Sequence, residues 1–343
     1  MIEYKSGNLL DSDAEALVNT VNTVGVMGKG IAFQFKQAFP DNFRAYEAAC
    51  RRHEIRIGKM FVYHTRKLHS PRLIINFPTK RHWKGKSKIQ DIADGLSDLV
   101  QVIRTENIRS IAIPPLGCGN GGLNWRQVKP LIDGTLEGLD VEAVVYEPQG
   151  APKAERMKVS TTRPRMTPSR AAVLGLMHRY TVPGYKLTLL EIQKLAYFLQ
   201  EAGEPLKLTF LKQKYGPYAE ELHHVLQRME GHFIRGYGDR TRQVSVNIVP
   251  EATAESEAFL AENHDTLSRF DRVSNLIQGF ETPYGMELLS TVHWVATREN
   301  DRAKSDPEAA VAAVHDWSEH KRLTFRPPHI REAWKRLKEQ NWI

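Results

Sequence analysis

Two glycine-bearing turns, each leaving a β-branched run and entering a helical pattern, constrain this chain more than any other feature. The first reads Asn19-Thr20-Val21-Asn22-Thr23-Val24-Gly25-Val26-Met27-Gly28-Lys29-Gly30, and the second reads Pro114-Pro115-Leu116-Gly117-Cys118-Gly119-Asn120-Gly121-Gly122. Gly28 and Gly30 let backbone N–H groups approach an anion, and the helix that follows adds the positive end of its dipole. In the second turn four glycines in six residues remove side-chain obstruction, so successive N–H donors can wrap a diphosphate. Loops at the carboxyl ends of an open sheet are where ligands collect, and two of them can clamp one pyrophosphate. Taken singly, each loop also reads as an ordinary strand-to-helix turn. Neither is the G-x-G-x-x-G fingerprint or the Walker lysine loop, which argues against nicotinamide hydride transfer and ATP hydrolysis.

The pattern around these turns is α/β over residues 1–150. Strands are predicted at Ile2 to Tyr4, Ala16 to Val21, Met60 to His64, Leu73 to Phe77, Ile111 to Pro114 and Val141 to Tyr146. Helical spacing links Ile31, Phe35, Ala38 and Phe39, and again Ile89, Ile92, Leu96, Leu99 and Ile103. Residues 151–166 lose the apolar period and interleave Pro152 and Pro164 with Lys153, Arg156, Lys158, Arg163 and Arg165, a basic linker. Residues 167–343 are predicted to be mainly helical. Thr188 with Glu191 forms a capping box, and Thr282 before Pro283 and Asp306 before Pro307 mark further helix starts. From Tyr237 to Val249 a hairpin or ordered loop competes with helix. A length of 343 residues accommodates two such domains.

Apolar runs such as Ile111 to Leu116 are far too short to cross a bilayer, and Glu3 and Lys5 stand where a signal peptide would be apolar, so no membrane association is expected. Cys50 and Cys118 make no disulfide framework, which fits a reducing cytoplasm, and no metal-ligand spacing or cofactor motif is present. Forty-eight Lys plus Arg against forty Asp plus Glu leave a formal +8, which favours a polyanionic partner without naming one.

The strings Gly7-Asn8-Leu9, Ala16 to Asn22, Gly28-Lys29-Gly30-Ile31-Ala32 and Pro115-Leu116-Gly117-Cys118-Gly119 resemble the macrodomain family of ADP-ribose binders over about residues 1–150. Asn76-Phe77-Pro78-Thr79-Lys80, and Gly117-Cys118-Gly119 followed by Leu123-Asn124-Trp125, are similar to the branch of terminal ADP-ribose protein glycohydrolases and, within it, to the DarG type, antitoxins that strip ADP-ribose from DNA thymidine. The implied fold is a mixed sheet covered by helices. The implied ADP-ribose contacts are Asn8, Leu9, Thr20, Asn22, Gly28, Lys29, Gly30, Ile31, Leu116, Gly117, Cys118, Gly119, Asn120 and Gly121. Two departures stand out. The family commonly places an acid after the early glycine to accept the adenine amino group; here Asn8 would have to accept that bond through its side-chain carbonyl. The protein glycohydrolases carry a catalytic aspartate where this chain has Gly121.

The resemblance makes Lys80 and Asn22 the catalytic pair. Lys80 either attacks the anomeric carbon as a neutral amine, its pKa lowered by desolvation or by a cation such as Arg81, or stays charged and assists the departing thymine while water attacks. Asn22 would bond the hydroxyls of the distal ribose. Beyond Lys80, the stretch Arg81, His82, Trp83, Lys84, Lys86 and Lys88 mixes cations with an aromatic ring, as single-stranded DNA binding requires; a solvated charged loop is the competing reading. Cys118 lacks a His and acid partner and reads as packing rather than as a nucleophile.

In the second half, Leu187 to Gly203 and Tyr215-Gly216-Pro217-Tyr218 resemble the Panacea (SocA-like) domain, which implies direct neutralisation of a DarT-type toxin. Tyr215, Tyr218, Trp294, Trp317, Trp334 and Trp342 are candidate interface anchors, of which about two thirds are expected in the core. The leading expectation is an antitoxin that acts on ADP-ribosylated single-stranded DNA and also binds its toxin. A non-enzymatic ADP-ribose reader and a glycohydrolase of ADP-ribosylated protein are the alternatives.

Overall fold

The structure, a computed structural model, describes residues 1–66, 69–148, 157–181, 185, 187–237 and 246–343. Residues 151–156 of the expected linker and 238–245 of the expected hairpin or loop lie outside the described residues. The chain divides into two compact units, Met1–Thr162 and Arg163–Ile343.

The first unit is built on six strands: β1 (Ile2–Lys5), β2 (Ala16–Asn22), β3 (Phe61–His64), β4 (Leu73–Lys80), β5 (Ser110–Ile113) and β6 (Glu142–Tyr146). They lie in the order β1-β6-β5-β2-β4-β3, parallel throughout except for β3, which runs antiparallel to β4. The long apolar runs of β2 and β4 are explained by cover on both faces. Val18, Ile75 and Ile113 face one side with Ile92, Leu96 and Leu99 of α3 (Ile89–Thr105) and Val128 and Ile132 of α4 (Trp125–Leu136). Leu17, Ile74 and Ala112, one residue out of phase, face the other side with Phe35 and Ala38 of α1 (Gly30–Ala38). The helix α2 (Pro40–Arg51) buries Tyr46, Ala49 and Cys50 with Val21 and Met27. Ile89 departs from its expected place in the apolar stripe: as the first residue of α3 it is exposed. Strand β4 also runs three residues past Phe77, so that Lys80 is its last residue.

In the second unit α5 (Pro168–Tyr180) and α6 (Leu189–Glu201) precede a small antiparallel hairpin of β7 (Leu211–Gln213) and β8 (Gly216–Tyr218). Then come α7 (Glu220–Met229), the two-residue strands β9 (Ile234–Arg235) and β10 (Asn247–Ile248), and the helices α8 (Pro250–Leu260), α9 (His264–Ile277), α10 (Pro283–Trp294), α11 (Pro307–Trp317), α12 (Glu319–Thr324) and α13 (Pro327–Glu339). The capping box forms in both directions: Thr188 accepts from the Glu191 N–H, and Glu191 accepts from the Thr188 N–H at 2.8 Å. Thr282 and Asp306 cap α10 and α11.

The aromatics depart from expectation. Of the six named, Trp317 and Trp342 are buried, and Tyr215, Tyr218, Trp294 and Trp334 are half-buried. Their polar edges explain part of this: Trp294 donates to Glu299, Trp334 to the Ala303 carbonyl and Tyr218 to Glu220. Among the described residues no helix is long and apolar enough to cross a membrane.

Candidate active site

Three neighbouring strands deliver the site. Strands β5, β2 and β4 are adjacent and parallel, so the turn after β2 (loop one), the turn after β5 (loop two) and Lys80 all emerge at the same carboxyl edge. Across the β2–β4 ladder Asn22 is the register partner of Lys80, just past an irregularity at Val21/Asn22.

The three parts meet at Asn120. Lys80 Nζ donates to the Asn120 carbonyl at 3.1 Å. Gly30, with φ of 56°, lies so close that a Cβ there would stand 2.9 Å from Asn120 Nδ2. Partial burial disfavours the Lys80 ammonium, and the positive charge of Lys29 adds to this, so the amine sits below the usual lysine range. Arg81, expected to supply that neighbouring charge, instead bonds Asp91 at 2.9 Å; the cation that acts on Lys80 comes from loop one.

Asn22 holds loop one in shape. Its Oδ1 accepts from the N–H groups of Val24 (3.0 Å) and Val26 (3.3 Å), and its Nδ2 donates to the Val26 carbonyl at 2.6 Å. Tyr46, buried on α2, donates to the Asn22 carbonyl at 2.6 Å. The amide that the sequence assigns to ribose hydroxyls is therefore engaged by its own loop, with one Nδ2 hydrogen left over. Beneath it Asn19, Asn42 and Asn76 form a buried amide network: Asn19 Nδ2 donates to Asn76 Oδ1 at 2.9 Å, and Asn76 Nδ2 to Asn42 Oδ1 at 2.7 Å.

Loop two admits no side chain at Gly121. A Cβ there would stand 2.3 Å from both the Gly117 carbonyl oxygen and Ser87 Oγ, so the aspartate of the protein glycohydrolases cannot be accommodated. Ser87 N–H donates to the Gly121 carbonyl at 3.0 Å, and its buried hydroxyl has no hydrogen-bond partner among the described residues. Leu116 is a core residue, so any ligand contact there is by backbone, whereas Gly119 and Asn120 are exposed. Cys118 is half-buried, and burial pushes its thiol up to about 11, which keeps it protonated and out of nucleophilic chemistry.

The remaining expected contacts are more scattered. Leu9 is buried in the core, Thr20 and Ile31 are half-buried, and Gly28 and Lys29 lie on loop one. At the carboxyl end of β1, Asn8 Oδ1 accepts from Leu10 N–H at 3.2 Å while its buried Nδ2 has no partner among the described residues. The unmet group is a donor, which complements a purine ring nitrogen better than an amino group. The segment after Lys80 is exposed except at Ser87. His82 stacks on Trp83 with ring centroids 5.4 Å apart, Lys84 Nζ lies 5.0 Å from the Trp83 ring, and Lys86 is exposed. Tyr46, Ser87 and Asp91 join the site without having been expected from the sequence. Of these, Ser87 carries a visible signal, as a small residue set between two lysines just before a helix.

A strand-end cradle of this kind on a mixed, helix-covered sheet defines a macrodomain, and the Macro domain family model matches residues 18–132. A DNA ADP-ribosyl glycohydrolase of Thermus aquaticus is 50% identical over 334 residues, covering 97% of this chain and 92% of that protein. One from Mycobacterium tuberculosis is 46% identical over 354 residues, covering 98% and 99%. The chain belongs to this family of DNA ADP-ribosyl glycohydrolases, which are hydrolases. A DNA ADP-ribosyl transferase–DNA ADP-ribosyl glycohydrolase fusion protein of Thermosipho africanus is 38% identical over 157 residues, 41% of this chain and 40% of that one.

Proposed function

We propose that residues 1–150 release ADP-ribose from thymidine of single-stranded DNA, and that residues 167–343, a Panacea-like domain joined by the linker at 151–166, neutralise a DarT-type ADP-ribosyltransferase by direct binding. The protein then acts as an antitoxin twice over, in the cytoplasm. The single observation that carries the enzymatic half is the meeting of Lys80, Gly30 and Asn120 at one strand edge. The names of the full-length relatives support the reaction class and leave a non-enzymatic reader without support. The Thermosipho fusion supports a transferase partner.

In the mechanism favoured by the Lys80 environment, the diphosphate lies between the two loops on backbone N–H groups and the distal ribose faces Lys80. Burial and Lys29 enrich the neutral amine, which gives its lone pair to the anomeric carbon. The carbon–nitrogen bond to thymine breaks and the bonding pair leaves with the base, which takes up the proton that the new lysine–sugar ammonium gives up. Water then hydrolyses the lysine–sugar adduct and restores the amine. Asn22 acts by fixing loop one, and Arg81, His82, Trp83, Lys84 and Lys86 hold the strand. The test is incubation of the purified chain with thymidine-ADP-ribosylated single-stranded DNA, reading the mass of the oligonucleotide and the released sugar nucleotide. Loss of the added mass is expected; an unchanged oligonucleotide rejects the proposal.

A further inference from the structure

Loop one presents two apolar side chains to water. Val24 is 46% exposed and Val26 39%, and they flank Gly25, which is buried against Cys50 and Glu47 of α2. Drawing the middle of the turn inward drives its neighbours outward, and the Asn22 amide holds both valine backbones there. Exposed valines scattered singly are ordinary. These are not scattered. Thr23 donates to the Arg81 carbonyl through its N–H (3.2 Å) and its Oγ1 (2.8 Å), which ties the turn to the segment carrying Trp83, itself 39% exposed. Among the described residues of the first unit the exposed large hydrophobics are Met1, Val24, Val26, Trp83 and Ile89; four of these five lie on the two tied segments or at the end of the second.

Both tied segments also carry cations, and Lys84 Nζ stands 5.0 Å from the Trp83 ring. Lys84, Lys86 and Lys88 are exposed along the second segment, and Lys29 is exposed at the far end of the turn. Apolar and aromatic surface between ammonium groups suits an unpaired nucleobase whose flanking phosphates meet the cations. An acidic peptide would satisfy the lysines but would have no use for the flat His82–Trp83 stack.

We propose that Val24 and Val26 form, with Trp83, an apolar ledge on which the nucleobase adjoining the modified thymidine packs. The ledge makes the enzyme prefer a polynucleotide over an isolated ADP-ribosylated nucleotide. This rests on the DNA glycohydrolase reading and names the part of the substrate, beyond ADP-ribose, that the site recognises.

The full chain and its Val24→Thr/Val26→Thr double variant, which keeps side-chain shape and every backbone bond of the loop, are compared on two substrates: an ADP-ribosylated oligothymidylate and an ADP-ribosylated thymidine mononucleotide. The ratio of KM on the oligonucleotide to KM on the mononucleotide is expected to rise about tenfold in the variant. A ratio within about twofold of the parent overturns the ledge, whether or not both KM values move together. If the parent chain releases nothing from either substrate, the glycohydrolase reading is what has failed. The ledge is then judged by fluorescence anisotropy with labelled, unmodified oligothymidylate: about tenfold weaker binding by the variant supports it, and equal binding overturns it.

Discussion

In the first unit Lys80, Lys29 and the cations of residues 81–88 stand at the open carboxyl ends of the strands, whereas in the second Lys194, Lys321, Glu287 and His293 are sealed in a helical core. Lys321 Nζ bonds Glu287 Oε1 at 2.7 Å and Thr291 Oγ1 at 2.9 Å, and Lys194 Nζ bonds the Pro217 carbonyl at 2.6 Å beneath the Gly216-Pro217 strand. His293 accepts or donates at 2.7 Å with the Tyr197 hydroxyl, and burial pulls its pKa down to about 3, so it is neutral. Charge placed at an edge can meet a substrate. Charge placed in a core can only hold elements together, and it does so at a desolvation cost that only good partners offset. The difference supports the proposal that the first unit carries the chemistry, while these groups of the second serve as scaffolding.

The comparison breaks most visibly at Lys80. Lys80→Ala is expected to lower release of ADP-ribose from modified DNA by about 10²–10⁴-fold while calorimetry still detects ADP-ribose binding; full activity would remove Lys80 from the chemistry. Next, Glu287→Ala leaves the Lys321 ammonium without its carboxylate and should cost about 3–5 kcal/mol in urea denaturation of the second unit. ADP-ribose release by the first unit should persist in the same variant. A smaller effect is a pH dependence. Burial, with the charge of Lys321 adding and that of Glu287 opposing, pulls Lys194 down to about 7, and burial against the attraction of Glu287 pulls Lys321 down to about 8. The unfolded chain therefore binds more protons than the folded one above these values, and stability of the second unit rises with pH between about 7.5 and 9.5, by at most about 1.4 kcal/mol per unit for each proton. Lys194→Met should flatten that rise in denaturation curves taken across the window. The smallest effect is at the surface: Lys84→Gln with Lys86→Gln should reduce the logarithmic salt slope of single-stranded DNA binding by about 0.7 for each phosphate that the variant no longer neutralises.

Much of this is legible in the chain. Six strands, both loops and the Thr188–Glu191 capping box are local signals, set by β-branched runs, turn glycines and a side chain three residues from its partner. What escapes a sequence reading is set by long-range packing. No local pattern places β2 between β5 and β4, and only that order brings Lys80 to Asn120, forty residues away. Adjacency in sequence makes Arg81 a neighbour of Lys80, but Asp91 on the first turn of α3 captures it. Hydrophobicity alone sends the aromatics of the second unit to the core, and the N–H edges of Trp294 and Trp334 keep both rings half at the surface. Asn22 is a site candidate in the sequence, yet its bonds to Val24, Val26 and Tyr46 arise only once the turn is folded.

The most direct test is a crystal structure of the full chain with ADP-ribose bound. The account predicts the diphosphate on the N–H groups of both loops and the anomeric carbon of the distal ribose within about 3.5 Å of Lys80 Nζ, which will have left the Asn120 carbonyl. A diphosphate bound elsewhere, or a Lys80 amine still on Asn120 with the ribose out of its reach, would contradict it.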